Sequence, residues 1–161
     1  MRPLGPANIV WNVHEWVNAN IENIRSAWPS AGGWEAWAQM ELFQWFSSGD
    51  ADVEREQHIY RAAGEKTDLL FNHHIVRSPT NIVAVELKCQ SLGNANSFVA
   101  GLAQDLHKLE WSTTEATKRY TRMVIGLYVA NEMKIWPGFS QNMWVDETGE
   151  VGVCYYLLAP S

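Results

Sequence analysis

Cysteine, long hydrophobic runs and leader-like segments are scarce in this sequence. Its two cysteines, Cys89 and Cys154, lie far apart, each within an apolar, strand-like run, which is typical of buried reduced thiols rather than of a disulfide framework. No apolar stretch approaches the roughly 20 residues that span a bilayer, and the N-terminus lacks the charged-then-apolar order of a signal peptide. These absences predict a soluble, cytoplasmic protein with no membrane partner.

Positive charge is also in short supply. The chain has 12 Lys and Arg residues against 18 Asp and Glu, a formal net charge of −6, whereas proteins that bind nucleic acid usually present a basic field to the phosphates. A metal-dependent site, however, itself gathers carboxylates, and a local basic patch can coexist with a negative total. Glycine-rich phosphate loops, Gly-x-Ser-x-Gly elbows and protein-kinase patterns do not occur in the sequence, which argues against those classes.

The chain does have enough apolar surface for one globular domain. Of its 161 residues, 47% are hydrophobic and nine are Trp, so burial can offset the conformational entropy lost on folding. The sequence predicts a single domain over residues 1–161, in which residues 1–33 form an N-terminal helical extension. The tryptophans are most simply explained as core and inter-helix packing, with a stacking platform for bases as the alternative.

Hydrophobic periodicity predicts an α/β fold, with a mixed central sheet flanked by helices. Spacings of three and four residues predict helices over residues 9–28, 34–46 and 98–109, and a short helix near 140–144. Apolar and alternating runs predict strands over residues 53–60, 66–71, 82–89, 123–130 and 151–158. The first three strands follow one another closely, so we expect them to form a meander.

The strand over residues 82–89 and the Gln after it carry the most informative polar pattern in the chain. Because side chains alternate along a strand, Glu86, Lys88 and Gln90 project to one side. The opposite side is apolar and belongs in a core: Val83, Val85, Leu87 and Cys89. Charges on so apolar a strand cost several kcal/mol unless they are paired or bind a metal. The alternative is a solvated strand face on which Glu86 and Lys88 form an ordinary surface pair.

Asp68 is the expected partner of this polar face. It lies on the preceding apolar strand, and an adjacent antiparallel strand brings its carboxylate close to Glu86. Two carboxylates so placed repel each other, and a hard cation such as Mg²⁺, which prefers oxygen ligands, relieves that repulsion. The pattern therefore predicts a magnesium or manganese site held by Asp68 and Glu86.

Asp68, seventeen intervening residues and Glu86-Leu87-Lys88 together resemble the PD-(D/E)xK nuclease superfamily, which has the restriction-endonuclease-like fold. The resemblance covers roughly residues 35–130, and Thr67 stands where the name-giving motif has Pro. It implies that Asp68 and Glu86 bind the metal, that Lys88 orients or activates the attacking water, and that Gln90 matches an ExKxQ extension of the motif.

In this family the first helix often supplies a further catalytic Glu. Glu41 is the first choice for that residue, Glu35 the second, and Glu56, on the first strand, the third. The polar face of the third helix often lies beside the site, so Gln104 and Lys108 are candidates for contact with phosphate.

The densest basic cluster in the chain offers further candidates for phosphate contact: Lys118, Arg119 and Arg122. A solvated helix end is the alternative explanation of that cluster. The histidines do not predict zinc, because His73 and His74, if they lie on a strand, point to opposite faces, and no His or Cys pair has a zinc-finger or zincin spacing.

The resemblance implies a metal-dependent endonuclease that hydrolyses phosphodiester bonds, with DNA favoured over RNA as substrate. A bacterial toxin, delivered to another cell, or a defence nuclease is the role such small domains suggest. The alternative is a catalytically inactive nuclease fold that acts as a binding, immunity or inhibitor protein, which the acidic charge and the tryptophans suit. A protein partner and a homodimer are both left open.

Overall fold

A mixed sheet forms the centre of the molecule in this computed structural model, which describes residues 1–30, 33–91, 97–129, 143–145 and 148–161. Its strands in these ranges are β1 (Val53–Gln57), β2 (Thr67–Phe71), β3 (Val83–Cys89), β4 (Thr121–Val129), β5 (Met143–Val145) and β6 (Val151–Leu158). The helices are α1 (Pro6–Ala27), α2 (Glu35–Ser48) and α3 (Phe98–Trp111), with short 3₁₀ helices at Pro79–Asn81 and Thr117–Arg119.

The spatial order of the strands is β1-β2-β3-β4-β6-β5. The strands β1, β2 and β3 pair antiparallel in sequence order, so the expected meander is confirmed. The strands β3 and β4 are parallel, whereas β4–β6 and β6–β5 are antiparallel. A parallel pair needs a crossover connection, and α3 lies in the one that joins β3 to β4. The predicted α/β class with a mixed, helix-flanked sheet is confirmed at this level.

Helices cover the two faces of the sheet as two separate cores. The first core joins α1 and α2 to alternate strand residues, among them Val83, Val85 and Leu87 of β3. The second joins α3 to the opposite set, including Ala84 of β3 and Val124 of β4. The alternation expected for β3 is therefore confirmed, because its apolar set and its Ala84-Glu86-Lys88 set lie on different faces.

The N-terminal helix is part of the first core. Five of its side chains are buried there: Ile9, Val13, Trp16, Val17 and Ile24. Trp16 packs against Trp37 of α2 with ring centroids 5.8 Å apart, as expected for tryptophans used in inter-helix packing. Both cysteines are buried thiols. Among the described residues, no helix is long and apolar enough to cross a membrane.

Two sequence-based boundaries are corrected. The first strand was expected to reach residue 60 but ends at Gln57, and Tyr60 forms only an isolated bridge with Thr113. A short helix was expected near residues 140–144, yet Met143–Val145 is a strand whose backbone pairs with β6; residues 140–142 lie outside the described ranges. Pairing with β6 satisfies backbone groups that a lone helical turn would leave open.

Gly126 of β4 should set how closely α3 approaches the sheet. It pairs with Lys88, and a Cβ at this position would lie 2.7 Å from Cys154 Sγ and 3.0 Å from atoms of Leu102 and Phe98. Gly126→Ala should therefore lower the free energy of unfolding by about 1–3 kcal/mol in a urea titration. Gly49→Ala, at an ordinary negative φ with contacts no closer than 3.5 Å, is the matched control. Equal urea midpoints for the two variants would contradict this assignment of α3 packing.

Candidate active site

The candidate site forms where β3 extends beyond the end of β2. The backbone ladder with β2 pairs β3 from Val83 to Val85, and beyond it the edge N–H groups of β3 need other acceptors. Asp68 Oδ2 accepts a hydrogen bond from Leu87 N at 2.7 Å. Glu35 Oε2 accepts one from Cys89 N at 3.0 Å. Two carboxylates thus replace a missing strand along this edge.

Glu86 lies between these positions on the face that α3 covers, and it is only 3% exposed. Its Oε1 accepts hydrogen bonds from the Tyr60 hydroxyl and, at 3.1 Å, from Lys108 Nζ. The Lys108 ammonium also lies 4.3 Å from the centroid of the Tyr60 ring, a distance at which a cation is attracted to the face of an aromatic ring. Tyr60 and Lys108 therefore hold one oxygen of Glu86 in a defined position.

Lys88, two residues further along the same face, lies between two carboxylates. Its Nζ is 3.2 Å from Glu35 Oε1 and 3.4 Å from Asp105 Oδ2 of α3. A Cβ on Gly101 would lie only 3.3 Å from the Lys88 side chain, so glycine in the middle of α3 lets the lysine stem lie against the helix. Burial alone lowers the pKa of Lys88, but Asp105 and Glu35 outweigh it and the net shift is upward. Lys88 is thus held as a cation.

The carboxyl groups of Glu86 and Asp68 are harder to ionise than ordinary acids, because the pKa of each is raised. Burial, and after it the negative charge of Asp68, raises the pKa of Glu86 to about 8, although Tyr60 and Lys108 act in the opposite direction. Burial also raises the pKa of Asp68 to about 6, against the hydrogen bond from Leu87 N. Repulsion between buried acids at adjacent positions is the condition that a bound cation relieves.

The α2 helix holds Asp68 from the other side. Gln39 Nε2 donates to the carbonyl oxygen of Asp68 at 3.1 Å and to its Oδ1 at 3.2 Å, and Gln39 Oε1 accepts a hydrogen bond from Arg55 at 3.1 Å. The arginine orients the amide, so the amide presents its donor to the acid. Gln39 and Glu35 are four residues apart and therefore share one face of α2.

A cavity of about 390 Å³ opens beside Lys88 and Glu35. Gln104 of α3, the first residue of that helix, Phe98, and the N-cap residue Ser97 also line it. Its volume is within the range of small-molecule sites, and the N-terminal end of a helix carries partial positive charge. The cavity therefore combines space, an ammonium group and a helix N-terminus.

Comparison with known proteins gives no assignment: no protein-family model, curated protein or solved structure matches the chain. The functional interpretation therefore depends on the geometry of the site.

Several predicted site residues do lie together. Asp68, Glu86 and Lys88 share the end of β3, and Lys108, predicted to contact phosphate, instead contacts Glu86. Gln104 lines the cavity beside them. Their chemical roles stay predictions.

Glu41 is the wrong choice for the acidic residue from the first helix of the site. It lies six residues after Glu35, about 240° further around α2 at 100° per residue, and so faces away from the site. Glu35 has the expected place. Glu56, the third choice, instead pairs with Lys66 at 3.4 Å and with Arg55 at 3.7 Å.

Gln90 lies inside the fold rather than in the cavity. Its Oε1 accepts a hydrogen bond from Val129 N at 2.9 Å, and its own carbonyl oxygen accepts one from Trp34 Nε1 at 2.7 Å. The side chain thus extends the pairing of β3 with β4, which is a structural explanation for a glutamine at this position.

The predicted basic cluster is not part of the site. Lys118 and Arg119 lie in the 3₁₀ helix just before β4, and the first residue of β4, Thr121, pairs with Val83 at the start of β3. Val83 is five residues before Lys88, roughly 16 Å along the strand at about 3.3 Å per residue. Lys118 pairs with Glu115 at 2.9 Å. Arg122, expected to meet phosphate, is only 4% exposed and donates to the carbonyl oxygens of Leu109 and Ala159. These hydrogen bonds instead hold the C-terminal segment next to the end of α3.

The sequence patterns did not single out three residues of the site: Tyr60, Gln39 and Asp105. Tyr60 follows the end of β1, where strand alternation no longer applies, so no local signal points to Glu86. Gln39 could have been found, because it is four residues from Glu35 on the same helix face. Asp105 could have been found too, because it is four residues after Gly101, whose missing side chain admits Lys88.

The raised pKa of Glu86 predicts a pH-dependent cost to stability. The unfolded chain ionises this acid near its ordinary pKa of 4.5 and the folded chain only near 8, so the metal-free protein should lose stability as pH rises between these values. Glu86→Gln keeps an acceptor for Tyr60 and removes the charge. In EDTA the melting temperature of this variant should match wild type at pH 4.5 and exceed it increasingly toward pH 8. At pH 8 its free energy of unfolding should be higher than that of wild type by at least about 1 kcal/mol.

Glu115→Gln is the control for that measurement. The pKa of Glu115 is lowered by its hydrogen bond to Lys118, so its amide variant should melt at the wild-type temperature or slightly below it. A Glu86→Gln protein that melts below wild type near pH 8 would show that ionised Glu86 is stabilising, contrary to this account.

Proposed function

We propose that this protein is a metal-dependent endonuclease of the PD-(D/E)xK type that hydrolyses phosphodiester bonds, with DNA as its substrate. The observation that carries the proposal is the convergence of Glu35, Asp68 and Glu86 on the free end of β3, around the cationic Lys88. Asp68 and Glu35 complete the edge of β3, but burying Glu86 beside Asp68 adds a repulsion that an apolar side chain of the same volume would avoid.

The donor set suits a hard divalent ion. The four acids Glu35, Asp68, Glu86 and Asp105 face two ammonium groups, those of Lys88 and Lys108, so two negative charges remain when all ionise. Within the described residues, no three of these acids have ligand atoms all within 4.8 Å of one another. Mg²⁺ usually keeps several waters and binds through one or two carboxylates rather than in an all-protein cage. Asp68 and Glu86, with water completing the coordination, are such a donor set for Mg²⁺ or Mn²⁺.

When bound, such an ion polarises a phosphate oxygen and lowers the pKa of a coordinated water. The protein's own groups perform the remaining tasks. Lys88, kept charged by Asp105 and Glu35, stabilises negative charge that develops on the phosphate. Gln39 and Leu87 N hold the Asp68 carboxylate in one orientation. The cavity beside Lys88 admits the phosphate, next to the N-terminal end of α3.

The second candidate is a nuclease fold that only binds a partner. Two observations favour it: the net charge of −6, and the engagement of Lys88 and Lys108 with carboxylates in this structure. Both candidates bind a metal if the acids are retained for that purpose, so metal binding and catalysis must be measured separately.

Metal binding should be visible as stabilisation. Mg²⁺ or Mn²⁺ at about 100 times its dissociation constant should add about 2.7 kcal/mol to the unfolding free energy, measured as a rise in melting temperature. Asp68→Asn, which keeps an acceptor for Leu87 N, should lose most of that rise. Asp50→Asn, an exposed acid that pairs with the N-terminal amine, is the control and should respond like wild type. No rise in wild type would contradict the metal site.

Catalysis separates the two candidates. Wild type should cleave plasmid DNA with Mg²⁺ or Mn²⁺ and not with EDTA. Lys88→Ala should reduce turnover at least about a hundredfold while keeping the metal-dependent rise in melting temperature, whereas Asp68→Asn should lose both. Lys88→Gln, which retains donors for Glu35 and Asp105, repeats the test if the alanine variant unfolds. Lys118→Ala, at the other end of the sheet, should keep wild-type turnover.

Each outcome has a defined meaning. Metal-dependent stabilisation without cleavage of plasmid DNA or RNA supports the binding-only candidate. Cleavage of RNA alone corrects the substrate, because both polymers present the same phosphate chemistry and differ in groove shape and the 2′-hydroxyl. Cleavage by Lys88→Ala at the wild-type rate overturns the role assigned to this lysine.

A further inference from the structure

A second group of potential metal ligands lies at the opposite end of β2. Glu54 of β1 meets the two histidines that follow β2: His73 Nδ1 is 3.1 Å from Glu54 Oε2, and His74 Nε2 is 3.1 Å from Glu54 Oε1. One ligand atom from each of the three residues lies within 4.8 Å of the other two. Across the described part of the chain, this is the only such group of three His, Cys, Asp or Glu residues.

The backbone explains why the adjacent histidines share a side. A strand would point them to opposite faces, but β2 ends at Phe71 and Asn72 adopts a left-handed φ of 68°. His73 and His74 then lie in a turn, with ring centroids 5.0 Å apart. The argument that adjacent histidines point to opposite faces therefore does not apply here, because it holds only for a strand.

The turn is fixed by buried polar groups rather than by the histidines themselves. The Asn72 side chain donates to the carbonyl oxygens of Leu4 and Asn81 and accepts from Leu4 N. Asp52, just before β1, accepts hydrogen bonds from Asn72 N through its carbonyl oxygen and from His74 N through its carboxylate. Glu54 lies opposite Leu70 in the β1–β2 ladder. The three ligands are thus carried by a backbone that is held without any ion.

We propose that Glu54, His73 and His74 form a binding site for a divalent transition-metal ion of the zinc class. Two imidazole nitrogens and one carboxylate oxygen are a donor set that suits Zn²⁺ and not Mg²⁺, which prefers oxygen ligands. The two contacts of 3.1 Å join the imidazoles to different oxygens of Glu54, and one ligand atom from each residue lies within 4.8 Å of the other two. Small side-chain rotations would bring these atoms to the roughly 3.3 Å separation of ligands around tetrahedral zinc with bonds of about 2.0–2.1 Å. The side chain of His74 is 62% exposed, so the remaining position of the ion is open to water or to a partner's ligand.

This site is separate from the candidate active site. Asp68 lies near the start of β2, and the last residue of the strand, Phe71, is three residues further on, roughly 10 Å along the strand; His73 lies beyond that end. An ion bound there would join β1 to the segment between β2 and β3, and the proposal does not depend on nuclease activity.

Calorimetric titration of Zn²⁺ into the untagged 161-residue chain near neutral pH tests the proposal. The background is the Asp68→Asn, Glu86→Gln double variant, in which the other candidate ligands are neutralised. One Zn²⁺ should bind per chain, millimolar Mg²⁺ should not compete, and visible absorption of bound Co²⁺ should report the geometry. His74→Ala should weaken Zn²⁺ binding at least about tenfold.

His58→Ala, an exposed histidine outside the group, is the matched control and should bind Zn²⁺ with unchanged affinity. Glu54→Gln keeps the size of the side chain and removes its charge, so it repeats the test without relying on the histidine variants. Absence of stoichiometric binding in the double-variant background overturns the proposal, as does equal affinity in His74→Ala and His58→Ala. Failure of nuclease activity in the wild type leaves this result unaffected.

Discussion

The edge of β3 beyond β2 is the constraint on which the candidate active site depends. A sheet edge presents backbone donors that need acceptors, and here Asp68 and Glu35 supply them at Leu87 and Cys89. Carboxylates used in this way cannot be moved without opening the edge. The same hydrogen bonds that complete the sheet therefore fix the acids beside Lys88, and the positions of the charges follow from strand length.

That arrangement has a cost that the rest of the fold must offset. Burial raises the pKa values of both Asp68 and Glu86, so the free energy of unfolding falls as pH rises from the unfolded-state pKa of each acid to its folded-state value. The two apolar cores lie on either side of the sheet and supply the compensating free energy. Close approach of α3, which Gly126 permits, brings Lys108 to Glu86 and Asp105 to Lys88. Natural proteins keep such unfavourable charges mainly at functional sites.

Sequence patterns could predict only those features of the site that depend on neighbouring residues in the chain. Strand alternation has a period of two, so Glu86 and Lys88 could be assigned to one face and Asp68 to the neighbouring strand. Tyr60 could not be placed, because it follows a strand end and its position depends on the path of a loop. Between Glu35 and Glu41 the sequence carries no signal, since both occupy the predicted helix; the choice depends on how α2 is rotated against β3, which only tertiary packing determines.

The two ends of β2 show why local pattern and chemistry have to be considered together. At the Thr67 end the strand stops while its neighbour continues, and oxygen ligands gather along the exposed backbone. At the Phe71 end a left-handed Asn72 turns the chain and brings two imidazoles to Glu54. Oxygen ligands favour hard ions and imidazole favours softer ones. The two ends of β2 thus carry donor sets that prefer different ions, with oxygen ligands at the Thr67 end and imidazoles beside Glu54 at the Phe71 end. The backbone conformation at each end determines which ligands gather there.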